Sequence, residues 1–481
     1  MLRCPLPVLL LFCFLVGPGG VSPGWAQQGP PPRAGTDSDA QALLQAGPMV
    51  GYGTHREVQL WVQTTRPANV QIRYWSRTTA RGDTASPAVI PDPDTSVTAV
   101  QRTTAAEGHI ARFTISALEP GNTYTYRLFL NGRRVNRPYP LRFQTQPLWQ
   151  WRTDPPTITM AVGSCAYIND PPYDRPGEPY GGDERIFRTI AAKNPDLMLW
   201  MGDNVYYREV DWAAPAMMEA RYAHTRRTPA VQSLLGHTHN YATWDDHDYG
   251  PNNSDRSYRQ KEASLRLFKQ YWANPNYGRP DVPGVFGKFR WGDVDVFLLD
   301  DRYHRSPTDA PRTERKTMWG TEQRQWLIDA LTTSDAPFKL VVNGGQVTTP
   351  ATRYETLARF PHEQSTLLEA LQERQIEGVV FLSGDRHITE LLRRHPEDFY
   401  PIYEFTNSPL TAGAGSGSPN PNRVHGTLVE QRNFGTLTVS GPREDRVLTL
   451  RTFGVDGETL WKRAIRAETL TVPDGSDEGD E

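Results

Sequence analysis

The sequence predicts an α/β domain with a largely buried sheet, preceded by a small all-β sandwich. Residues 47–146 consist of short runs that alternate apolar and polar residues, and turn residues separate these runs. This pattern is typical of a β-sandwich. In residues 157–470, apolar strand-like runs alternate with stretches of helical periodicity, which indicates an α/β domain.

The composition supports a folded protein with a polar surface. The chain has 481 residues, of which 37% are hydrophobic and 10% aromatic, with a formal net charge of -3. So many aromatic residues exclude a chain that is disordered throughout. The charge balance gives no basic surface, so we do not expect nucleic-acid binding.

The N-terminus has the pattern of a signal peptide, which we assign to residues 1–26. A short basic start precedes the apolar run Pro5–Val16, and small residues precede a cleavage site after Ala26. The run is shorter than the ~18 apolar residues of a membrane span, and no later stretch reaches that length. We therefore expect export to the periplasm, cell surface or exterior, with no membrane span after cleavage.

Two polar segments flank the folded part. Residues 27–46 are rich in Gln, Pro, Gly and Asp and are predicted to be a linker, and residues 471–481 form an acidic tail. Cleavage after Ala26 would leave Cys165 as the one cysteine, which excludes an internal disulfide. The oligomeric state is left open by the sequence.

The α/β region contains six candidate buried strands and four candidate helices. The strands are Ile158–Val162, Leu197–Met201, Tyr241–Trp244, Val294–Leu299, Lys339–Val342 and Val379–Leu382. The helices are Glu184–Ala192, Gln260–Trp272, Thr321–Leu331 and Glu363–Glu373.

A polar cluster directly follows each candidate strand. In chain order the clusters are GSC (163–165), GDNVY (202–206), DDHD (245–248), DDR (300–302), NGGQ (343–346) and SGDRH (383–387). Loops at the carboxyl ends of strands converge in α/β sheets, so we expect these side chains at one rim. So many buried carboxylates require cations. Carboxylate, imidazole, phenolate and thiolate groups together can bind two or more metal ions, with Cys165 as a thiolate ligand.

These motifs, in this order, resemble the PhoD-like (alkaline phosphatase D) family of calcineurin-like metallophosphoesterases. The segments MWGTEQRQWL (318–327) and EFTNSPL (404–410) add to the resemblance. It implies a metallophosphoesterase four-layer sandwich of two mixed β-sheets flanked by helices, with the N-terminal sandwich as that family's first domain. The Pro- and Gly-rich loops at 170–182 and 407–422 are expected to shape the pocket.

The resemblance also implies metal ligands. Asp203 matches a carboxylate that bridges two metals, and Tyr206 matches a phenolate ligand of ferric iron. Cys165 stands where the family has a cysteine ligand of iron. Asp246 occupies the position of a ligand asparagine, and His247 matches a histidine that contacts phosphate and acts as an acid.

Further residues complete the expected site. Asp385 and His387 correspond to the metal-binding end of the last motif. Gln346 falls where many relatives have a ligand histidine, and Asn252 or Asn253 can add an oxygen ligand. Arg302 is interpreted either as a catalytic residue that pairs with phosphate or as a structural partner of a neighbouring carboxylate. Fe³⁺ and Ca²⁺ are the expected metals, with Mn²⁺, Zn²⁺ and Mg²⁺ as alternatives.

The resulting hypothesis is an exported metal-dependent phosphohydrolase that cleaves phosphoesters by in-line attack of a metal-bound hydroxide. Monoesterase and phosphodiesterase activities are not separated by the sequence. The alternative is a catalytically degenerate surface-binding protein that uses the β-sandwich as an interaction module. A redox enzyme is a weaker alternative, because nothing resembles a haem or flavin site.

Overall fold

The computed structural model describes residues 37–76 and 95–473. The predicted signal peptide (1–26) lies outside the described residues, as do residues 27–36 of the predicted linker and 474–481 of the acidic tail.

The C-terminal part of the predicted linker is folded. Residues 37–46 form a helix and the beginning of the first strand. Ala40 and Leu43 are buried in the core of the N-terminal strands, and this apolar contact explains the difference from the linker prediction.

Eight α-helices lie in the described residues. They are α1 (Asp37–Leu43), α2 (Ile186–Ala192), α3 (Pro215–Arg227), α4 (Pro229–Leu235), α5 (Asp246–Tyr249), α6 (Lys261–Tyr271), α7 (Thr321–Thr332) and α8 (Pro361–Glu373). None of these helices combines the length and the apolar character needed to cross a membrane.

The same residues contain twenty-one strands. The first nine are β1 (Leu44–Gly53), β2 (Val58–Thr64), β3 (Asn69–Ser76), β4 (Ser96–Val97), β5 (Gln101–Arg102), β6 (Ile110–Ile115), β7 (Thr123–Leu130), β8 (Arg133–Val135) and β9 (Arg142–Gln144). The others are β10 (Ile158–Gly163), β11 (Leu197–Met201), β12 (His239–Thr243), β13 (Gly287–Trp291), β14 (Val294–Leu298), β15 (Phe338–Asn343), β16 (Val379–Ser383), β17 (Glu390–Arg394), β18 (Ile402–Thr406), β19 (Asn433–Ser440), β20 (Val447–Gly454) and β21 (Thr459–Arg466).

Two mixed sheets build the α/β part. The nine-stranded sheet has the order β21-β20-β19-β10-β11-β12-β1-β2-β6, and the six-stranded sheet has the order β13-β14-β15-β16-β18-β17. Strands β10, β11 and β12 are parallel, as are β14, β15, β16 and β18. Strands β11, β14 and β16 are mainly apolar and are buried at every position, as expected for a parallel sheet.

The two sheets pack face to face, with helices on both outer sides. One core cluster contains Met160 and Leu199 of the first sheet, Val296 and Leu340 of the second, and Leu327 of α7. A second cluster packs the other face of the nine-stranded sheet against α2, α3, α4 and α6. The predicted α/β architecture of two mixed sheets flanked by helices is confirmed.

The N-terminal strands form a sandwich that is continuous with the larger domain. Strands β1, β2 and β6 pack on the sheet of β3 and β7 around a separate core. Strand β1 also pairs in parallel with β12, with Val50 opposite His239. One sheet of the sandwich is therefore an extension of the nine-stranded sheet, which fixes its position on the α/β part.

Candidate metal centre

The loops after β10, β11, β12 and β16 meet at one edge of the two facing sheets. Gly384, just after β16, allows the closest approach. A Cβ atom there would lie 2.8 Å from the carbonyl oxygen of Met201 and still closer to the side chain of Ser164. The absence of a side chain at Gly384 thus lets the two sheets bring their terminal loops together.

Two groups of potential metal ligands lie in these loops. The ligand atoms of Cys165, Asp203 and His387 are within 4.8 Å of one another, and so are those of Asp203, Asp246 and His247. Asp203 belongs to both groups. Its carboxylate therefore lies where the two groups adjoin, and the bridging role that the family resemblance implies for Asp203 stays a prediction.

Tyr206 closes the first group from one side. Its hydroxyl group donates a hydrogen bond to Oδ2 of Asp203 at 3.0 Å and lies 3.1 Å from Nε2 of His387. Its ring stacks on the imidazole of His247, with ring centres 4.3 Å apart. The phenol oxygen thus lies among the ligand atoms of the first group.

Four residues of the site share the same strained backbone conformation. Cys165, Asp203, Asp385 and His387 have φ angles of 61°, 53°, 62° and 54°. Residues other than glycine seldom adopt this left-handed conformation, which has a cost of order 1–3 kcal/mol each and clusters at functional sites. The surrounding packing holds these four side chains where unstrained turns would not place them.

The electrostatics of the cluster favour bound cations. Burial raises the pKa of the Cys165 thiol to about 12 and that of the Asp385 carboxyl to about 6. Burial, together with the charges of Asp246 and Cys165, raises the pKa of Asp203 well above its usual range. A cation in contact with these groups would reverse the shifts, because it stabilises their ionised forms.

Two further observations show that the donor set fits metal ions. Oδ1 of Asp246 is buried and has no hydrogen-bond partner among the described residues. The Nδ1 atom of His387 lies 2.6 Å from the carbonyl oxygen of Gly413. Donation from Nδ1–H to this carbonyl leaves Nε2 as the unprotonated nitrogen that faces Tyr206, which is the usual arrangement of a ligand histidine.

Asp248 is a structural residue of the site that the sequence analysis did not single out. Its carboxylate accepts hydrogen bonds from the backbone N–H groups of Asn204, Val205 and Asp245 at 3.0–3.1 Å. It thereby joins the loop after β11 to the loop after β12. Its place in the DDHD string gave no indication of this separate role.

Arg302 does not line the cavity of the site. Its side chain is fully buried. The guanidinium group donates hydrogen bonds to Oδ1 of Asp245 and, at 2.8 Å, to Oε2 of Glu355. Of the two interpretations of Arg302, the structure supports the salt bridge and not the catalytic contact with phosphate.

Gln346 is also not part of the cavity lining. Its Nε2 donates to Oε1 of Glu390 at 2.8 Å and to the hydroxyl group of Thr406 at 2.9 Å. This buried network uses the amide as a donor inside the second sheet. Gln346 is not among the residues that line the cavity, and its role as a metal ligand stays a prediction.

Asn252 and Asn253 differ in what they contribute. Asn252 lines the cavity beside the metal groups. The backbone N–H of Asn253 donates to Oδ2 of Asp246 at 2.6 Å. Asn252 is thus the one of the pair that lines the cavity, whereas the backbone of Asn253 orients the carboxylate of Asp246.

A cavity of about 380 Å³ opens above the cluster. Asp203, Tyr206, Asp246, His247, Asp385 and His387 line its floor, together with Tyr207 and Asn252. Its outer wall includes Tyr167, Tyr173, Asp174, Arg175, Pro176, Tyr180, Arg208, Glu209 and Trp212. Several of these residues belong to the 170–182 loop, which was predicted to shape the pocket, although its individual residues gave no signal. None of the described residues in 47–146 lines this cavity.

Parts of this chain match known protein families. The sequence model of the PhoD-like phosphatase family matches residues 160–455, and a model for a domain of unknown function (DUF7800) matches residues 41–148. The chain is similar to alkaline phosphatase D of Bacillus subtilis (strain 168), with 21% identity over 368 residues, or 62% of this chain. It spans about 60% of the length of that relative.

Two solved structures share the fold. The structure of PhoD aligns with a TM-score of 0.68 at 15% identity, covering 89% of each chain. Purple acid phosphatase PPD1 from yellow lupin (Lupinus luteus) seeds aligns with a TM-score of 0.59 at 11% identity, covering 87% of this chain and 74% of that one. Because the family model matches more than half of the chain, this protein belongs to the PhoD-like phosphatase family.

Proposed function

We propose that this protein is a metal-dependent phosphoesterase. The observation that carries the proposal is the position of Asp203, whose carboxylate belongs to two adjoining groups of potential metal ligands at the base of a cavity. Two metals that share a carboxylate are a recurring device for displacement at phosphorus. Membership of the PhoD-like family supports the same activity.

The two groups suit different ions. Cys165, Tyr206 and His387, with Asp203, combine thiolate, phenolate, imidazole and carboxylate donors, which suit Fe³⁺. The second group offers more carboxylate oxygen and suits Ca²⁺, with Mn²⁺, Zn²⁺ or Mg²⁺ as alternatives. When bound, such ions supply Lewis acidity toward the phosphoryl oxygens and a nucleophile at neutral pH.

The side chains around the cavity position the substrate. The His247 ring is held by stacking on Tyr206, and its backbone N–H donates to Oδ1 of Asp203 at 3.2 Å. The imidazole lies at the cavity surface, where it can donate a hydrogen bond to the leaving oxygen. Tyr180 and Tyr173, in the 170–182 loop, limit the room for the ester group.

The degenerate surface-binding alternative is not favoured. The residues of both ligand groups are present and are brought together, and no described residue of the N-terminal sandwich reaches the cavity. The volume of the cavity accommodates either a monoester or a small diester. Both activities are therefore part of the proposal.

The test measures metal content and hydrolysis on the same samples. We expect the purified full chain to contain metal and to hydrolyse p-nitrophenyl phosphate, bis(p-nitrophenyl) phosphate or both. His247→Ala should retain metal and lose hydrolysis, Asp203→Ala should lose both, and the exposed control Asp281→Asn should lose neither. Full hydrolysis by Asp203→Ala without metal would overturn the proposal.

We also propose that the protein acts outside the cytoplasm. The signal-peptide pattern of residues 1–26 supports this location. N-terminal sequencing of the protein made in its native cells should begin at Gln27. Recovery of the chain from the cytoplasm with Met1 to Ala26 still attached would contradict the proposal.

A further inference from the structure

We propose that Arg175 is a substrate-binding residue that contacts the anionic oxygens of the phosphoester. This assignment rests on the proposed phosphoesterase function. It names a residue to which neither the motifs nor the comparisons give a role.

Two arginines line the cavity, and their environments differ. Arg208 is engaged: its Nε donates to Asp174 at 2.8 Å, and its terminal nitrogens donate to the carbonyl oxygens of Tyr206 and Ile168. Arg175 makes no hydrogen bond or ion pair with any residue that the structure describes. Its guanidinium group is therefore available to a ligand in the cavity.

The loop that carries Arg175 is anchored at the preceding residue. Oδ1 of Asp174 accepts hydrogen bonds from the hydroxyl group of Tyr167 and from Nε of Arg208, both at 2.8 Å. Oδ2 of Asp174 accepts from the backbone N–H of Asp170 at 2.6 Å. The Arg208 guanidinium also lies 3.7 Å from the centre of the Tyr167 ring. These contacts keep the base of Arg175 at the rim of the cavity.

The position of Arg175 lets its charge act on the site. Arg175 lines the same cavity as Asp203, Asp246 and His247, which belong to the two groups of potential metal ligands. A cation at this position is therefore next to the place where the phosphoester would bind.

The chemistry of the substrate explains the use of a guanidinium group here. Its planar donors match the oxygens of a phosphate group and can bind two of them at once. The floor of the cavity is rich in carboxylates. Their negative charge repels a phosphate group wherever bound metal ions do not neutralise it. A phosphomonoester carries up to two negative charges and a diester carries one. Arg175 should therefore contribute more to the binding of monoesters than of diesters.

The experiment compares four forms of the full, metal-loaded chain: wild type, Arg175→Gln, Arg175→Lys and Arg188→Gln. Arg188 is an exposed arginine of α2 outside the cavity and serves as the matched control. The measurements are KM and kcat for p-nitrophenyl phosphate and bis(p-nitrophenyl) phosphate, the inhibition constant of inorganic phosphate, and metal content. Phosphate binding is also measured by calorimetry, which does not depend on turnover.

We expect Arg175→Gln to raise KM for the monoester and the phosphate dissociation constant by ~10-fold, the effect of losing a charge-assisted hydrogen bond. The rise should be smaller for the diester, intermediate for Arg175→Lys and absent for Arg188→Gln, with unchanged metal content in all. Constants for Arg175→Gln that equal those of wild type would overturn the assignment, as would a larger effect on the diester.

The two proposals fail in different ways. If loaded wild type neither hydrolyses a phosphoester nor binds phosphate, the phosphoesterase function fails and the assignment of Arg175 fails with it. If wild type is active and Arg175→Gln matches it, only the assignment of Arg175 fails.

Discussion

The hydroxyl group of Tyr206 donates a hydrogen bond to Oδ2 of Asp203 at 3.0 Å, between two groups of potential metal ligands. Burial and the negative charge of Asp203 raise the pKa of this phenol well above its usual range. Tyr206 therefore ionises to the phenolate only if a cation replaces the proton of its hydroxyl group.

A bound ferric ion should make the protein coloured through Tyr206. We expect wild type to show a visible charge-transfer band, and Tyr206→Phe to lose or strongly shift it while Asp203 and Cys165 still hold some iron. The measurement is an absorption spectrum with elemental analysis of the same sample. Tyr173→Phe, at an exposed tyrosine of the cavity wall, is the control and should keep the band. A colourless wild type that contains only divalent metal would contradict iron at this position.

Asp246→Asn should remove one metal and leave the other. Asp246 belongs only to the second ligand group, whereas Cys165, Asp203 and His387 form the first. Elemental analysis should therefore show a metal content lower by about one ion per chain, with the first metal retained. Loss of both metals, or of neither, would show that the two groups do not bind ions separately.

Arg302→Gln should destabilise the fold rather than weaken substrate binding. The substitution leaves the buried carboxylate of Asp245 without a cation, and Glu355 keeps only its ion pair with Arg305. Breaking a buried ion pair in this way costs about 3–5 kcal/mol. Chemical denaturation should show this loss, while KM for the folded, metal-loaded fraction stays within about twofold.

The control for this prediction is Arg374→Gln. Arg374 pairs with Asp329 at the surface, where the side chains are 41% and 58% exposed. Surface pairs contribute about 0–1 kcal/mol. Equal unfolding free energies for the two variants would contradict the role of Arg302 in the buried network.

The contact between the sandwich and the α/β part should weaken in acid through His239. Burial lowers the pKa of His239 to about 4, although the backbone oxygens of Gly51 and Gln144 lie 2.8 and 2.9 Å from its ring nitrogens. The pKa of this histidine is about 6.5 in the unfolded chain and about 4 in the folded protein. As the pH falls, the unfolded state therefore binds the proton first. Stability from this group is fully present above about pH 6.5 and is lost progressively toward pH 4, by about 3 kcal/mol at most.

Denaturation of wild type and His239→Gln at pH 7.5 and pH 5 checks this sign. The variant should lose less stability than wild type between the two values. His362→Gln, at an exposed position, should behave as wild type. An identical pH dependence in wild type and His239→Gln would remove His239 as the cause.

Trp61→Ala should destabilise the whole chain, because Trp61 joins the sandwich to the α/β part. Its side chain is fully buried, its Nε1 donates to the carbonyl oxygen of Gln270 at 3.0 Å, and its ring lies 5.8 Å from that of Tyr271. A buried tryptophan replaced by alanine costs about 3–5 kcal/mol. Trp151→Ala, at a residue that is 89% exposed, should leave the unfolding free energy nearly unchanged. A separate low-temperature transition of the sandwich alone would contradict the shared-sheet interpretation.

The sequence by itself determined the elements and the chemistry at their ends. The runs around Leu197–Met201 and Val379–Ser383 are apolar on both faces and are directly followed by carboxylate and histidine residues, so local patterning was enough to predict strands with a metal rim. The ordered motifs predicted the family for the same reason, since each motif is a local feature.

Tertiary structure decided which polar residue faces the cavity. Arg302 and Arg175 are both arginines near the rim, but Arg302 is enclosed by Asp245 and Glu355, whereas Arg175 lies over the cavity without a partner in the described chain. Long-range hydrogen bonds likewise determine the surroundings of Gln346 and Asp248. Gln346 donates to Glu390, and Asp248 accepts from the backbone of the loop after β11. The partner of a buried charge is chosen by the packing of strands distant in sequence, and no local pattern records that choice. The junction of β1 with β12, which joins the sandwich to the large sheet, was decided in the same way.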